Sequence, residues 1–222
     1  MKPYKVLITG GTGFVGTWMR KTQPVGVSAV YMDRKRYASS QWPIADFYAH
    51  LANVSPTQIL SFARRYGGRV MYCSSGAIYE RNGEYADNKR RWEVECLNSE
   101  LNIVIARLFT FFGKKLDDNK AITQFVKCAK AGKPIRIWGD GNTVRSYMYG
   151  ADMGRILWTI LLRGQNGEAY DVGSDKPITM LELARMIVQR YPTEIIVENK
   201  PEECTYYMPK DIDKTRLLML KT

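Results

Sequence analysis

A β-branched run that breaks into evenly spaced glycines opens this chain, and few folds accept such a join. Lys5-Val6-Leu7-Ile8-Thr9 leads straight into Gly10-Gly11-Thr12-Gly13-Phe14-Val15-Gly16, and the residues that follow can form a helix. A strand that turns on glycines into a helix is the unit from which parallel α/β sheets are built. In such a turn Gly10 permits the tight reversal, Gly13 lets a pyrophosphate approach the backbone, and Gly16 lets the helix pack on the strand. The phosphates then meet free N–H groups at the helix N-terminus, which makes Gly10, Gly13, Phe14, Val15 and Gly16 candidate cofactor contacts. The next strand, Val27-Ser28-Ala29-Val30-Tyr31-Met32, closes on Asp33, 17 residues after Gly16. That is near the spacing of ~20 at which a carboxylate binds the adenosine ribose of a dinucleotide.

The rest of the chain alternates in the same way. Strands are expected at 4–9, 27–32, 47–51, 69–73, 102–107, 135–138, 169–172 and 194–197, and helices at 14–22, 55–66, 86–99, 119–131, 151–163 and 179–190. Ser55-Pro56 suits a helix start and Gly67-Gly68 its end, while 34–45 reads as a polar loop. Alternation of this kind predicts a doubly wound parallel sheet. With 222 residues, 45% of them hydrophobic, the chain can bury one sizeable core with a small appended lobe. We expect a nucleotide-binding domain over 1–132 and a substrate lobe over 133–222, interleaved with the last sheet elements.

Composition narrows the partners. The longest apolar run, Ile156–Leu162, falls well short of the ~20 residues of a membrane span, and the N-terminus carries no secretory pattern. Cys73, Cys96, Cys128 and Cys204 form no C-x-x-C pair and His50 is the only histidine, so the expectation is reduced thiols in a cytoplasm and no zinc. The net charge of +11, with clusters at Arg34-Lys35-Arg36, Lys89-Arg90-Arg91 and Lys114-Lys115, favours anionic partners: nucleotides, sugar diphosphates or nucleic acid.

Several ordered motifs give the chain a family resemblance. They are Gly10–Gly16, Ala49-His50-Leu51-Ala52, Ser74-Ser75-Gly76-Ala77-Ile78-Tyr79, Tyr85-x-x-x-Lys89, Arg107-Leu108-Phe109 with Gly113, and Gly139-Asp140-Gly141-x-x-x-Arg145-Ser146-Tyr147. Tyr170-Asp171-Val172-Gly173-Ser174 and Asp211-Ile212-x-Lys214 follow. Together they resemble the extended short-chain dehydrogenase/reductases, specifically the NAD-dependent sugar-nucleotide epimerases and dehydratases. The stretch from Ile135 to Asp152 is similar to epimerase-like proteins of surface-polysaccharide clusters. The resemblance implies a Rossmann-like fold, a nucleotide-diphosphate sugar as substrate and a homodimer built on the helices at 55–66 and 86–99. Ile59, Phe62, Trp92 and Cys96 look like more apolar surface on those helices than one sheet face needs.

The chemistry fits those residues. Oxidising a sugar hydroxyl requires its proton to leave as hydride leaves the same carbon, and a tyrosine can take that proton only if its pKa, normally about 10, is lowered. Lys89 lies one helical turn beyond Tyr85, where its ammonium stabilises a phenolate and can hold the nicotinamide ribose. Ser75, just past a strand end, would orient the substrate oxygen. Taken alone, Tyr85 and Lys89 read as a solvated helix start; following Ser74-Ser75 they read as a catalytic set of Ser75, Tyr85 and Lys89. The resemblance adds Leu51, Ala52, Ser74, Tyr85 and Lys89 to the cofactor contacts. It also sets Arg145 against the substrate diphosphate, which a guanidinium binds bidentately, with Thr110 standing where an asparagine is usual. His50 is read as structural, and Trp138 and Phe125 as core. Arg34, also counted with the cofactor, suits a 2′-phosphate, but Asp33 repels one, so NAD is expected over NADP.

The chain is pared down. The segment 34–45 replaces a helix, a strand and another helix, which predicts loss of the outer edge strand; only nine residues separate Ser75 from Tyr85; and the usual terminal helices are not expected after Asp211-Ile212. Gly76 and Ala77 stand where dehydratases carry acids, which disfavours dehydration. Epimerisation through a transient keto sugar, at C4, is the leading expectation. A 4-keto sugar reductase is the alternative, followed by a non-catalytic NAD- or RNA-binding relative.

Overall fold

Alternating strands and helices wind into one six-stranded parallel sheet in the computed structural model, which describes residues 2–39, 41–80, 83–198 and 205–220. The chain runs β1 (Tyr4–Thr9), α1 (Phe14–Lys21), β2 (Val27–Tyr31), α2 (Arg34–Ala38), β3 (Phe47–His50), α3 (Thr57–Tyr66) and β4 (Arg69–Ser75). It continues through α4 (Ala77–Glu80), α5 (Glu84–Leu97), β5 (Ile103–Leu108), β6 (Thr110–Phe112), α6 (Ala121–Lys130), β7 (Ile135–Trp138) and β8 (Val144–Tyr149). It closes with α7 (Gly150–Arg163), β9 (Ala169–Val172), β10 (Pro177–Thr179), α8 (Met180–Arg190), β11 (Ile195–Glu198), β12 (Tyr206–Tyr207) and α9 (Ile212–Leu220). The sheet order is β2-β1-β3-β4-β5-β9, with β2 at the edge as the shortened segment after it predicts. That segment is not a plain loop. Asp33 caps α2 by accepting the Arg36 N–H at 2.8 Å, and Trp42 tucks into the core with its indole N–H donated to the Tyr37 carbonyl.

Both faces of the sheet are covered, so side chains alternate into two cores. Val6, Ile8 and Met71 meet Trp18 of α1 and Met153, Leu157 and Leu161 of α7. Leu7, Tyr48, Val70, Tyr72 and Ile105 meet Leu60 and Ala63 of α3 and residues of α5 on the other face. Ile59, Trp92 and Cys96 lie in this second core and Phe62 packs against it. These four are therefore not surplus apolar surface, as their number in the sequence suggested; one sheet face, widened by Trp42, absorbs them. The α1–α7 contact is unusually close. A Cβ on Gly150 would fall 2.3 Å from the Trp18 indole nitrogen, and one on Gly154 would fall 2.4 Å from Thr22 Oγ1. Backbone against indole in this way fixes the direction of α1 and hence of the glycine turn that precedes it.

A third cluster, Phe125, Ala129, Ile135, Ile137, Leu183 and Ala184, lies apart from the sheet, between α6 and α8 and the β7–β11 pair. Phe125 is core as expected, but Trp138 is not: β7 alternates, so Ile135 and Ile137 point in while Arg136 and Trp138 point out, and Trp138 is 65% exposed. Beside this cluster β8 pairs with β6, β10 and β12, short strands not expected from the sequence. The expectation of no terminal helix is also overturned. α9 packs on β9 and α7, its Thr215 hydroxyl donates to the Asp171 carbonyl at 2.8 Å, and the Asp171 carboxylate accepts the N–H groups of Lys210 and Asp211. No described helix is long and apolar enough to cross a membrane. Cys73, Cys96 and Cys128 are free thiols; Cys204 lies outside the described residues.

Candidate active site

The glycines of the opening turn differ in what surrounds them. Gly10 has φ +67°, and a Cβ there would fall 2.9 Å from the Ala52 backbone nitrogen; one on Gly16 would fall 2.6 Å from the Gly11 Cα. Only at Gly13 is the space open, the nearest atom being the Gly10 carbonyl oxygen at 3.4 Å. Gly10 and Gly16 thus close the turn and seat α1, while Gly13 leaves the backbone accessible. No side chain caps α1, so the amides of its first turn face that opening. A pyrophosphate at this position meets N–H donors and the positive end of the helix, and the residues fit a dinucleotide.

His50 shapes the adjoining wall. Its ring bridges the Thr9 hydroxyl (3.0 Å) and the Val54 carbonyl (3.1 Å). A carbonyl only accepts, so Nε2 carries the proton and Nδ1 accepts from Thr9. Burial depresses the ring's pKa to about 4, so it is neutral at physiological pH. The Thr9 hydroxyl also accepts the Ala52 N–H at 3.4 Å. His50 is structural, as expected: it holds Leu51 and Ala52 against the glycine turn. Asp33 and Arg34 are exposed at the end of β2, on the same carboxyl edge of the sheet. Ser74, at the end of β4, is buried with its hydroxyl lacking a hydrogen-bond partner among the described residues.

Beside this edge a cleft of about 670 Å³ opens between the sheet and the C-terminal cluster. Ser75, Tyr85, Thr110 and Arg145 all line it, with Phe14 joining it to the glycine turn. Ser75 and Tyr85 therefore line the same space although only nine residues separate them. Lys120, Arg136, Trp138 and Tyr207 also line the cleft, and among the described residues lining it none is acidic. Arg136 is paired with Glu198 at 2.8 Å. Arg145 donates to Thr205 Oγ1 at 2.8 Å and to the Thr205 carbonyl at 3.1 Å. Gly76 sits under Phe109, and a Cβ there would fall 2.4 Å from the ring, so an acid at 76 would require Phe109 to move.

Lys89 is only 4% exposed, donates to the Cys73 carbonyl at 3.0 Å, and has Nζ 5.8 Å from the centre of the Tyr85 ring. Burial lowers its pKa to about 8. Behind it, Arg107 grips Glu93 with two nitrogens (3.0 and 2.7 Å) and donates to the Tyr79 hydroxyl at 2.7 Å, which donates to Asp171 at 2.9 Å. This part-buried chain ties α5, Tyr79 of α4 and Asp171 of β9 to Arg107 of β5. Burial first, then the Asp171 carboxylate, push the Tyr79 phenol up to about 12, which suits a structural link and not a base.

Three features escaped the sequence reading: Trp138, Tyr207 and the Arg107–Tyr79–Asp171 link. The period-two run Ile135-Arg136-Ile137-Trp138 carried a signal for the first, since it sets Trp138 on the face of Arg136. For the other two the partners are distant in sequence and nothing local marks them.

The model of the NAD dependent epimerase/dehydratase family matches residues 39–173, more than half of the chain. The chain belongs to this family. The match begins beyond the glycine turn, so the turn supports membership independently. Among curated members, UDP-glucuronic acid decarboxylase 4 of Arabidopsis thaliana is 23% identical over 287 residues, covering 98% of this chain and 65% of that protein. The dTDP-glucose 4,6-dehydratase of Haemophilus influenzae is 29% identical over 107 residues, 48% of this chain and 31% of its own. The chain thus spans less than two thirds of the length of these curated relatives. Among solved structures, the dTDP-glucose 4,6-dehydratase of Bacillus anthracis in complex with NAD superposes with a TM-score of 0.81 at 17% identity, over 97% of this chain and 90% of that one. The UDP-glucuronic acid 4-epimerase of Bacillus cereus, solved with NAD and a fluorinated substrate analogue, gives 0.80 at 18% identity, over 98% and 93%. At these identities the likeness to the family's solved members is one of fold.

Proposed function

We propose that this protein is an NAD-dependent nucleotide-sugar epimerase acting at C4. The observation that carries the reading is the single cleft in which Ser75, Tyr85, Thr110 and Arg145 meet beside the glycine turn, with no acid among its described lining residues. Among the described lining residues no carboxylic acid is placed to protonate a leaving hydroxyl, and a side chain at Gly76 would crowd Phe109, which favours epimerisation over dehydration. NAD, when bound, accepts a hydride from the sugar and returns it. Gly10, Gly13, Phe14, Val15 and Gly16 hold its phosphates, Asp33 its adenosine ribose beside Arg34, Leu51 and Ala52 its wall, and Ser74, Tyr85 and Lys89 its nicotinamide half. Tyr85 takes the proton of the reacting hydroxyl, Lys89 supplies positive charge to the phenolate, and Ser75 orients the oxygen. Arg145 and Lys120 face the diphosphate, Thr110 the sugar, and Trp138 offers an apolar face to the nucleoside. On this reading residues 1–132 carry the cofactor and 133–222 most of the substrate wall. Mass spectrometry of ligand released from purified protein should find NAD. In titrations NAD should bind more tightly than NADP, with the difference lost in Asp33→Ala; equal or tighter binding of NADP by the wild type would overturn the assignment.

We also propose a cytoplasmic homodimer through α3 and α5. Support comes from the family resemblance and from apolar side chains left exposed on these two helices: Tyr66, Val94 and Leu97 are 40%, 56% and 45% exposed. Light scattering at micromolar concentration should give twice the 25.5 kDa chain mass; the chain mass itself would end this proposal.

A further inference from the structure

Two buried charges on α5 stand one turn apart and do not pair. Lys89 and Glu93 are 4% and 5% exposed, and residues four apart on a helix are neighbours. A buried carboxylate needs a cation, and Lys89 is within its reach along the helix. Yet Lys89 donates to the Cys73 carbonyl and has no ion pair among the described residues. Glu93 goes to β5 instead. Arg107 Nε lies 3.0 and 3.3 Å from its two oxygens, and Arg107 Nη2 lies 2.7 Å from the second.

The shapes of the two cations decide which of them keeps the carboxylate. A guanidinium is a planar fork that engages both oxygens, whereas an ammonium is a point charge. Arg107 is also held from its far side, where it donates to the Tyr79 hydroxyl at 2.7 Å. The consequence falls on Lys89. Its ammonium has three N–H donors and gives one to Cys73. Otherwise its charge rests near the rings of Tyr72, Trp92 and Tyr85, with Nζ 5.1, 5.5 and 5.8 Å from their centres. Three further titratable groups act with it, His50 of β3 and the thiols of Cys73 and Cys96; burial keeps all three neutral at physiological pH. Glu93 is the carboxylate that acts on Lys89, and Arg107 occupies it. Tyr85 lies one turn before Lys89 and Glu93 one turn after, so pairing with Glu93 would draw the ammonium away from the phenol.

We infer that Arg107 is a positioning residue that keeps Glu93 from Lys89 and so leaves the ammonium to the Tyr85 oxygen and the nicotinamide ribose. The uses of the freed ammonium rest on the epimerase reading above; the separation of the two charges does not.

The test reads Lys89 directly, by titrating its 13Cε resonance in ligand-free protein, assigned by its loss in Lys89→Met. In Arg107→Gln the released carboxylate should turn to Lys89 and raise its pKa from about 8 by about 1–3 pH units. Arg107→Gln with Glu93→Gln removes both charges of the pair and should return Lys89 to within about half a pH unit of wild type. An unmoved Lys89 in folded Arg107→Gln would overturn the inference. So would a fall of about one unit or more in the double variant, which would mean that Glu93 already serves Lys89 in wild type. The double variant carries no uncompensated charge, so it decides the question if Arg107→Gln does not fold. With NAD bound, reduction at 340 nm by nucleotide sugars should fall about tenfold in Arg107→Gln and recover in the double variant. A double variant as slow as Arg107→Gln would overturn the positioning role. Wild type that reduces no NAD with any nucleotide sugar would sink the epimerase reading instead, and the Lys89 titration would still decide whether Arg107 keeps the two charges apart.

Discussion

Tyr85→Phe should retain NAD and lose about 10²–10⁴-fold in the rate at which nucleotide sugars transiently reduce the bound cofactor, followed at 340 nm. The variant keeps the aromatic ring and removes only the oxygen that receives the proton. The phenol is half exposed in the cleft at the start of α5, so no packing is disturbed and the loss reports on chemistry. Proton transfer and hydride transfer leave the same carbon and its oxygen together, so without a base the hydride step carries the full cost of an alkoxide. The panel should include UDP-glucose, UDP-glucuronate and dTDP-glucose. Undiminished reduction in Tyr85→Phe would remove Tyr85 from the mechanism and leave a cofactor-binding protein whose base lies elsewhere.

Lys89→Met should be more stable than wild type and less active, a pairing that an ordinary structural lysine would not give. Burial lowers the Lys89 pKa from 10.5 to about 8. Below pH 8 both the folded and the unfolded chain carry the charge, and the folded one bears a burial cost of about 3 kcal/mol. Methionine removes that cost but leaves the Cys73 carbonyl without its donor, worth about 1 kcal/mol, so the net gain at pH 7 is on the order of 2 kcal/mol. The sign of the pH dependence follows. Between pH 8 and 10.5 the unfolded chain binds the proton that the folded one has shed, so this group makes wild-type stability rise with pH across that window. Lys89→Met should lack the rise, as urea unfolding at pH 7 and pH 9.5 would reveal. Its rate at neutral pH should fall, because the charge that forms on the Tyr85 oxygen loses its nearby cation. A destabilised Lys89→Met with an unchanged rate would make Lys89 a packing residue.

The parts legible in the sequence are those governed by neighbours along the chain. Glycine at 10, 13 and 16 follows from local sterics, and the turn has the roles its spacing implies: two glycines crowded against backbone and one open. Tyr85 and Lys89 share a helical face because four residues make about one turn. The loss of the outer strand was visible because too few residues separate β2 from β3 to hold one. The terminal helix was lost to view because α9 is short and weakly patterned; what holds it is Asp171, 44 residues from Thr215.

What the sequence by itself determined is the parallel α/β architecture, the glycine turn between β1 and α1, and which side chains carry titratable or hydrogen-bonding groups. Glycine sterics, helical spacing and strand periodicity act over a few residues and are written locally. The tertiary structure alone decided which of those side chains meet. It spent Ile59, Trp92 and Cys96 on the core, turned Trp138 outward, and brought Tyr207 across 132 residues to the Ser75 hydroxyl. Such pairings depend on how β8, β12 and the sheet pack, and packing sums many weak, distant contacts that no short stretch of chain encodes.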